Sequence, residues 1–393
     1  MMPPPLSLYV HMPWCVRKCP YCDFNSHTLN GELPQVEYVD ALLRDLDQDL
    51  PLVPTHQLHS IFFGGGTPSL FGADSIACFL DAVARRLSMP ADVEVTLETN
   101  PGTVEHAPFD DYRRAGVNRI SFGVQSFDDA ALRRIGRIHT ASEAKRAIKQ
   151  AQDAGIDNLN LDLMYAMPEQ TLDAALFDID TALMLRTPHL SHYQLTLEPN
   201  TRFGTNPPPL PDEDTAWKMQ QQCQARLAHA GLGQYEVSAY ARDGRQCAHN
   251  LNYWRFGDYL GIGAGAHGKL TDTDSGQIRR RWKLRTPRGF LEHAGTRRGI
   301  GGDGFIDTEQ LPFEFMLNAL RLNAGFEVND FAARTGLPFD AIAARIEAAR
   351  RYGWLECDGT HVQTTELGQR FLNDVIASFL PDPTPSDREL LNA

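Results

Sequence analysis

The sequence lacks any hydrophobic run of the roughly 18 to 20 residues that a membrane-spanning helix requires; its apolar stretches are short and broken by polar residues. A protein integral to the membrane is not expected. It also lacks an excess of positive charge, with 37 Lys and Arg against 50 Asp and Glu and a formal charge of −13. That balance disfavours a chain that coats nucleic acid by bulk electrostatics, while leaving room for a local basic patch. The first residues, Met1 to Leu8, are proline-rich and lack the basic segment and apolar stretch of a secretory leader. Cysteines are few, 7 in 393 residues, and three of them fall between positions 15 and 22. A disulfide framework would be even in number and spread out. The expected setting is a reducing cytoplasm with metal-binding cysteines.

A chain of 393 residues exceeds one compact core, so two or three domains are expected. The first two thirds alternate short apolar runs with helical patterns. Strands are expected at 6–10, 58–63, 93–97, 119–122, 159–163 and 189–195, and helices between them at 38–50, 75–87, 142–154 and 172–185. Such alternation predicts parallel strands joined by right-handed crossovers, and six units suit a partly open barrel rather than a closed ring of eight. Several of these strands end in residues suited to chemistry: the glycines at 64–66 with Thr67, then Glu98, Gln125 and Asp162. Parallel α/β folds gather ligands at that end; the plainer alternative is that polar residues merely begin loops. A proline-rich break at 206–211 precedes an expected helix at 212–230 and a strand at 235–240. Glycines at 299–304 read as a linker. Beyond it, helices at 313–322, 329–335 and 340–352, a hairpin of 354–356 with 361–364 about Asp358-Gly359, and a helix at 367–379 predict a winged-helix-like α+β unit. The expected divisions are 1–205, 206–300 and 301–393.

Cys15, Cys19 and Cys22 stand in a C-x3-C-x2-C pattern directly after the first expected strand. Thiolates are the usual protein ligands of iron–sulfur clusters. Three of them can hold three irons of a [4Fe–4S] cubane and leave the fourth open to a small molecule. The alternative is zinc, which takes four ligands, with His11 or His27 as the fourth; zinc motifs more often come as two separated pairs. At 64–69 the chain reads Gly-Gly-Gly-Thr-Pro-Ser. Without a Cβ the backbone approaches a ligand closely, and amides at a strand end can meet the carboxylate or amino group of an amino-acid-like ligand. A triple glycine alone is more often a turn.

These stretches resemble the oxygen-independent coproporphyrinogen III oxidase family of radical S-adenosylmethionine (SAM) proteins. So do Tyr9 to Trp14, Lys18 to His27, Glu98-Thr99-Asn100-Pro101-Gly102, Ser121-Phe122-Gly123-Val124-Gln125-Ser126, Asp162-Leu163-Met164-Tyr165, His249-Asn250-Leu251-Asn252-Tyr253-Trp254 and Gly261 to Ala266. The resemblance runs from residue 9 to about 268; the remainder matches in length and pattern only. It implies an α/β fold, a partly open radical SAM (β/α)6-type barrel with a C-terminal winged-helix-like α+β domain. It also implies a [4Fe–4S] cluster on Cys15, Cys19 and Cys22 and SAM on the open iron, whose carbon–sulfur bond one electron can break. By the same resemblance Tyr9, Gly65, Gly66, Thr67 and Glu98 line the SAM site. Tyr21, Gln125, Arg137 and Asp162 match positions around SAM in the oxidase, including a second SAM. Glu98 and Asp162 suit an amine or ribose hydroxyls, and Arg137 a carboxylate; the alternative for Arg137 is a solvated residue in a run with Arg133 and Arg134.

Two departures set the branch. The oxidase has a fourth cysteine two residues after the third, where this chain has Phe24, and a longer segment before the first strand. Both point to the heme chaperone branch, which the resemblance associates with binding heme and delivering it to acceptor hemoproteins, respiratory ones among them. The branch is assigned SAM binding without an assigned SAM turnover, and an electron donor such as a flavodoxin is implied. Heme iron takes His, Cys, Met or Tyr as axial ligand. His249 matches the motif associated with heme, with Tyr253 and Trp254 against the macrocycle. The alternatives are a hydrogen-bonded structural His249, or Cys247 as the ligand. His11 and His27 flank the cluster motif and are candidates to support it. Arg279, Arg280, Arg281, Lys283 and Arg285 form a basic run, read as a solvated edge strand or as partners of propionates or acidic proteins. Cys78, Cys223 and Cys357 are expected to be inert buried thiols. The rival functions are anaerobic decarboxylation of coproporphyrinogen III with two SAM molecules, and DNA binding by the C-terminal unit, which its acidic residues disfavour. Location is expected to be cytoplasmic, with peripheral contact at a membrane compatible.

Overall fold

A computed structural model describes residues 3–53, 57–102 and 108–381. The outermost parts of the first and last expected divisions, 1–2 and 382–393, lie outside the described residues.

The main sheet has twelve strands. In chain order these are β1 (Leu6–Met12), β2 (Leu58–Gly65), β3 (Glu94–Thr99), β4 (Arg119–Gln125), β5 (Asn158–Tyr165), β6 (His189–Gln194), β7 (Gly233–Glu236), β8 (Ala239–Ala241), β9 (Asp258–Ile262), β10 (His267–Thr271), β11 (Ile278–Lys283) and β12 (Ile300–Phe305). Their spatial order is β12-β11-β10-β9-β1-β2-β3-β4-β5-β6-β8-β7. The first six are parallel, as the strand–helix alternation predicts, and they are largely buried because helices cover the outer face. The helices follow their apolar spacing. Ala141–Asp153 buries Ala144, Ala147, Ile148 and Ala151 along one stripe and begins with a reciprocal cap between Thr140 and Glu143. No helix among the described residues is long and apolar enough to cross a membrane.

Four local expectations change. Asp258–Ile262 is a seventh parallel strand, paired with β1, inside a stretch that had no assignment. The expected strand at 235–240 is two short antiparallel strands, β7 and β8. The glycines at 299–304 are not a linker but a short 3-10 turn running into β12, which pairs antiparallel with β11. The basic run is not a solvated edge, since β11 lies between β10 and β12. Four of its five charges are satisfied internally. Lys283 Nζ lies 2.6 Å from Asp45 and 2.7 Å from Asp49, all three buried. Arg281 pairs with Asp49 and Asp303, Arg279 with Asp303, and Arg280 with Glu314.

The C-terminal unit packs helices Leu311–Ala319, Val328–Thr335 and Asp340–Arg351 against a three-stranded sheet, ordered Phe326–Glu327, His361–Thr364, Leu355–Cys357. Its core includes Phe315, Phe331, Ile342, Val362 and Phe379, and also Phe256 and Ile278 from the barrel extension. The expected single last helix is two, Glu366–Arg370 and Leu372–Ala377. Of the three remote cysteines only Cys223 is buried; Cys78 is exposed and Cys357 half-buried.

Candidate functional site

The carboxyl ends of the parallel strands open into a cavity of about 480 Å³. The segment after β1 folds over it as a loop pinned at its base. Trp14–Cys15 pairs with His27–Thr28, and the amides of His27 and Leu29 donate to the carbonyls of Pro13 and Cys15. Lys18 Nζ donates to the carbonyls of Phe24 and Ser26 at 3.0 and 3.1 Å, drawing the loop into a ring. Cys15, Cys19 and Cys22 all face the cavity. Burial raises the thiols of Cys15 and Cys22, so metal binding there must displace protons.

The cysteines fit a cluster better than a single ion. Three thiolates facing one cavity match the donor set of a cluster, whereas zinc takes four ligands. The histidines proposed as a fourth zinc ligand are engaged elsewhere. His11 Nδ1 bonds the Tyr9 hydroxyl and Nε2 the Asn25 carbonyl, each at 2.9 Å. His27 Nε2 lies 3.3 Å from Asn25 Oδ1, and its ring also bonds the Arg285 backbone.

The glycine loop supports the site differently from the sequence expectation. The Gly66 amide donates to Met12 O at 2.8 Å, Thr67 N to Trp14 O at 2.7 Å, and Gly65 N to Glu98 Oε2 at 3.1 Å. These amides are spent within the protein and are not offered to a ligand. Glycine is required by close approach. A Cβ on Gly65 would fall 2.5 Å from the His11 ring, at φ +114°, and one on Gly66 2.5 Å from the Trp14 carbonyl.

Glu98, Gln125, Arg137, Asp162 and Tyr21 line the same cavity. Recession from solvent and the nearby Asp162 raise the Glu98 carboxyl to about 8. Desolvation also raises Asp162, opposed by bonds from Asn160 and Ser191. Neither carboxylate has an ion-pair partner among the described residues, a suitable setting for a cationic ligand. Arg137 is not a solvated member of its run: its guanidinium donates to Gly123 O at 2.5 Å and to Cys19 Sγ at 3.7 Å. Gln125 sits at φ +70° where β4 slips register against β5, and its Oε1 accepts from Tyr193 at 2.8 Å. A non-glycine residue in that backbone region is held by its surroundings, a feature that clusters at functional sites.

Sequence reasoning missed Tyr193, Ser121, Asn160 and Ser191. Asn160 Nδ2 donates to Asp162 Oδ1 and Ser121 Oγ, each at 2.8 Å, and Asn160 Oδ1 accepts from Ser191 at 3.1 Å. Strand alternation carries the signal, since Asn160 and Asp162 are two apart on one face.

Tyr9 and His249 do not line the cluster cavity itself. Both line an adjoining space of about 300 Å³ with Phe62, Arg119, Tyr253 and Trp254, which shares Glu98, Ser121, Asp162 and Ser191 with the cluster cavity. His249 is 3% exposed, its Nδ1 bonded to Ser60 Oγ at 2.9 Å. Its Nε2 is buried without a partner, and burial lowers its pKa to about 3. Its ring packs on Phe62 and Tyr253, with centroids 5.0 and 5.1 Å away. Cys247, the rival ligand, is fully buried, 3.5 Å from Glu94, with its thiol pushed up to about 12.

Residues 9–180 match the model of the radical SAM superfamily, and 306–371 that of the HemN C-terminal domain. The chain is 51% identical to the heme chaperone HemW of Escherichia coli over 96% of this chain and 99% of that one. It is 48% identical to heme chaperone HemW of Haemophilus influenzae and 32% identical to that of Bacillus subtilis, over 96% and 95% of this chain and 99% of each relative. Among solved structures, coproporphyrinogen III oxidase HemN of Escherichia coli superposes with a TM-score of 0.80, at 21% identity, over 96% of this chain and 90% of that one. That likeness establishes the partly open barrel fold. Full-length identity to the chaperones, with Phe24 where the oxidase resemblance calls for a cysteine, places the sequence on one side of the divide: the chain belongs to the radical SAM heme chaperone HemW family.

Proposed function

We propose that this chain is a heme chaperone that carries a [4Fe–4S] cluster on Cys15, Cys19 and Cys22, binds SAM beside it, and binds heme for delivery to acceptor hemoproteins. The observation that carries the reading is kinship over nearly the whole chain with the HemW chaperones. A cluster with one open iron supplies one-electron chemistry when bound. The chain's own residues do the rest. Glu98 and Asp162 accept the cationic groups of SAM, Arg137 meets a carboxylate, and Tyr193 holds the buried Gln125 on the cavity wall. Gly65, Gly66, Thr67 and Tyr21 shape the walls, and Tyr9 stands behind them with its hydroxyl bonded to His11.

Further elements of the reading are a flavodoxin-like electron donor, cytoplasmic location with peripheral contact at a membrane, and respiratory hemoproteins among the acceptors. The division into a barrel at 1–205, an extension at 206–300 and a C-terminal unit from 301 belongs to the same reading. The test is an anaerobically reconstituted protein titrated with hemin. A saturable Soret band and transfer of heme to an apo-hemoprotein are expected; absence of heme binding sinks the proposal.

Retention of Gln125, Arg137 and Asp162 in the cluster cavity favours one second reading, anaerobic oxidative decarboxylation of coproporphyrinogen III. Reconstituted protein with reductant and SAM would then yield protoporphyrinogen. Phe24 in place of the oxidase's cysteine weighs against that product.

A further inference from the structure

Each cysteine of the cluster loop has a polar side chain against its sulfur. Arg137 Nη1 lies 3.7 Å from Cys19 Sγ. Ser26 Oγ lies 3.6 Å from Cys22 Sγ. The Thr67 hydroxyl bonds the Cys15 thiol. Two of these partners are neutral hydroxyls. Only Arg137 brings a charge, and a guanidinium keeps it at every accessible pH.

The contact between Arg137 and Cys19 is fixed from both sides. On one side, Arg137 Nη2 donates to Gly123 O on β4 at 2.5 Å, and its backbone N–H to Leu132 O at 2.9 Å. On the other side, the loop is docked next to Cys19. A Cβ on Gly136, at φ +74°, would fall 2.8 Å from the Pro20 ring, so glycine is required for that approach. The Pro20 carbonyl accepts from Phe203 N at 3.0 Å, and Tyr21 packs against Ala131, Ile135 and Met164.

Arg137 has no carboxylate partner among the described residues; the groups whose negative charge would favour its own are the Cys19 thiol and the phenols of Tyr21 and Tyr193. The other cations of the loop act elsewhere. Lys18 Nζ is spent on the carbonyls of Phe24 and Ser26. Arg17 also lines the cavity but is exposed, where water and salt screen it. A cluster gains one negative charge on reduction. Hydrogen bonds to its sulfurs and the charge around it set the potential at which that happens.

We propose that Arg137 is a positioning residue for the cluster: it bonds the Cys19 thiolate and raises the reduction potential, so that a weaker donor reaches the reduced state. Ser26 and Thr67 act the same way on Cys22 and Cys15, to a smaller degree because their hydroxyls are neutral. In the step itself one electron passes from an external reductant to the cluster. No bond forms or breaks, and the guanidinium keeps its protons. The proposal rests on the cluster reading. It is separate from the carboxylate contact given to Arg137 above, because it operates without SAM.

The test is a redox titration of the full-length protein, reconstituted anaerobically and free of SAM, with dithionite as reductant and mediator dyes. The reduced fraction is read by electron paramagnetic resonance. Arg137→Met should lower the reduced-to-oxidised ratio at the wild-type midpoint by about tenfold, a negative shift of about 59 mV for one electron. Arg137→Gln, which keeps an N–H donor and loses the charge, should shift in the same direction. Arg137→Lys should lie between these variants and the wild type, and Ser26→Ala should shift less than Arg137→Met. Iron and acid-labile sulfide counts establish that each variant is loaded. A wild-type midpoint in loaded Arg137→Met or Arg137→Gln overturns the proposal, as does Arg137→Lys displaced as far as Arg137→Met. A wild type that takes up no cluster overturns the cluster reading itself, a different outcome from either.

Discussion

Two acidic pairs in this molecule share a chemistry and differ in purpose. Asp45 and Asp49 are buried and meet Lys283 at 2.6 and 2.7 Å, tying the extension strands to the helix Gln35–Asp49. Glu98 and Asp162 are recessed in the cluster cavity and meet amides and hydroxyls, with no ion-pair partner among the described residues. The first pair is complete and is structure. The second has no ion-pair partner among the described residues and is the proposed site. Withdrawal from water alone does not mark function; an absent partner does.

The comparison breaks or sharpens in three measurements. The largest effect is expected from Lys283→Met, which leaves Asp45 facing a buried void of charge. Removing one member of a buried pair costs about 3–5 kcal/mol, read as a fall in the denaturation midpoint. A neutral result would mean that Asp45 simply takes up a proton, and would erase the contrast. Next, Glu98→Gln should leave the SAM-free protein no less stable than the wild type while weakening SAM binding by about tenfold or more, by calorimetry. Unchanged affinity would remove Glu98 from the SAM site.

The smallest effect is the pH dependence. The Glu98 carboxyl is raised from 4.5 to about 8. Its contribution to stability is whole below the unfolded value and is lost as pH rises through the folded one. Glu98→Gln should therefore gain on the wild type between pH 4.5 and 8 in denaturant titrations of the SAM-free protein. A cationic ligand draws the proton off, so SAM binding near pH 7 should release protons, seen as a buffer-dependent binding enthalpy. Proton uptake would reverse the assignment.

Much of this was legible along the chain, and the reason is locality. The six parallel strands announce themselves as apolar runs because both faces are covered. Cys15, Cys19 and Cys22 lie within one short loop, and Glu98, Gln125 and Asp162 stand at strand ends where ligands gather. The C-terminal hairpin follows from Asp358-Gly359 alone. The misses are those that depend on a neighbour. Glycines at 299–304 resemble a linker until Trp282 is seen lying across Gly302. The basic run resembles a solvated edge until strands appear on both sides of it. The glycine loop promised free amides, and Glu98, the end of β1 and the segment after it consumed them.

The sequence by itself determined the chemistry at hand: three thiolates at cluster spacing, the strand–helix rhythm that builds a partly open barrel, and Phe24 in place of a cysteine. Only the tertiary structure decided which ionisable groups are spent and which are free. Asp45 and Lys283 meet across 238 positions of chain, and Asn25 reaches Arg285 across 260. Lys18 is spent within its own loop, while Arg137 meets Cys19 across 118 positions. Charge satisfaction and access to solvent are properties of what surrounds a residue, and residues distant in sequence supply those surroundings.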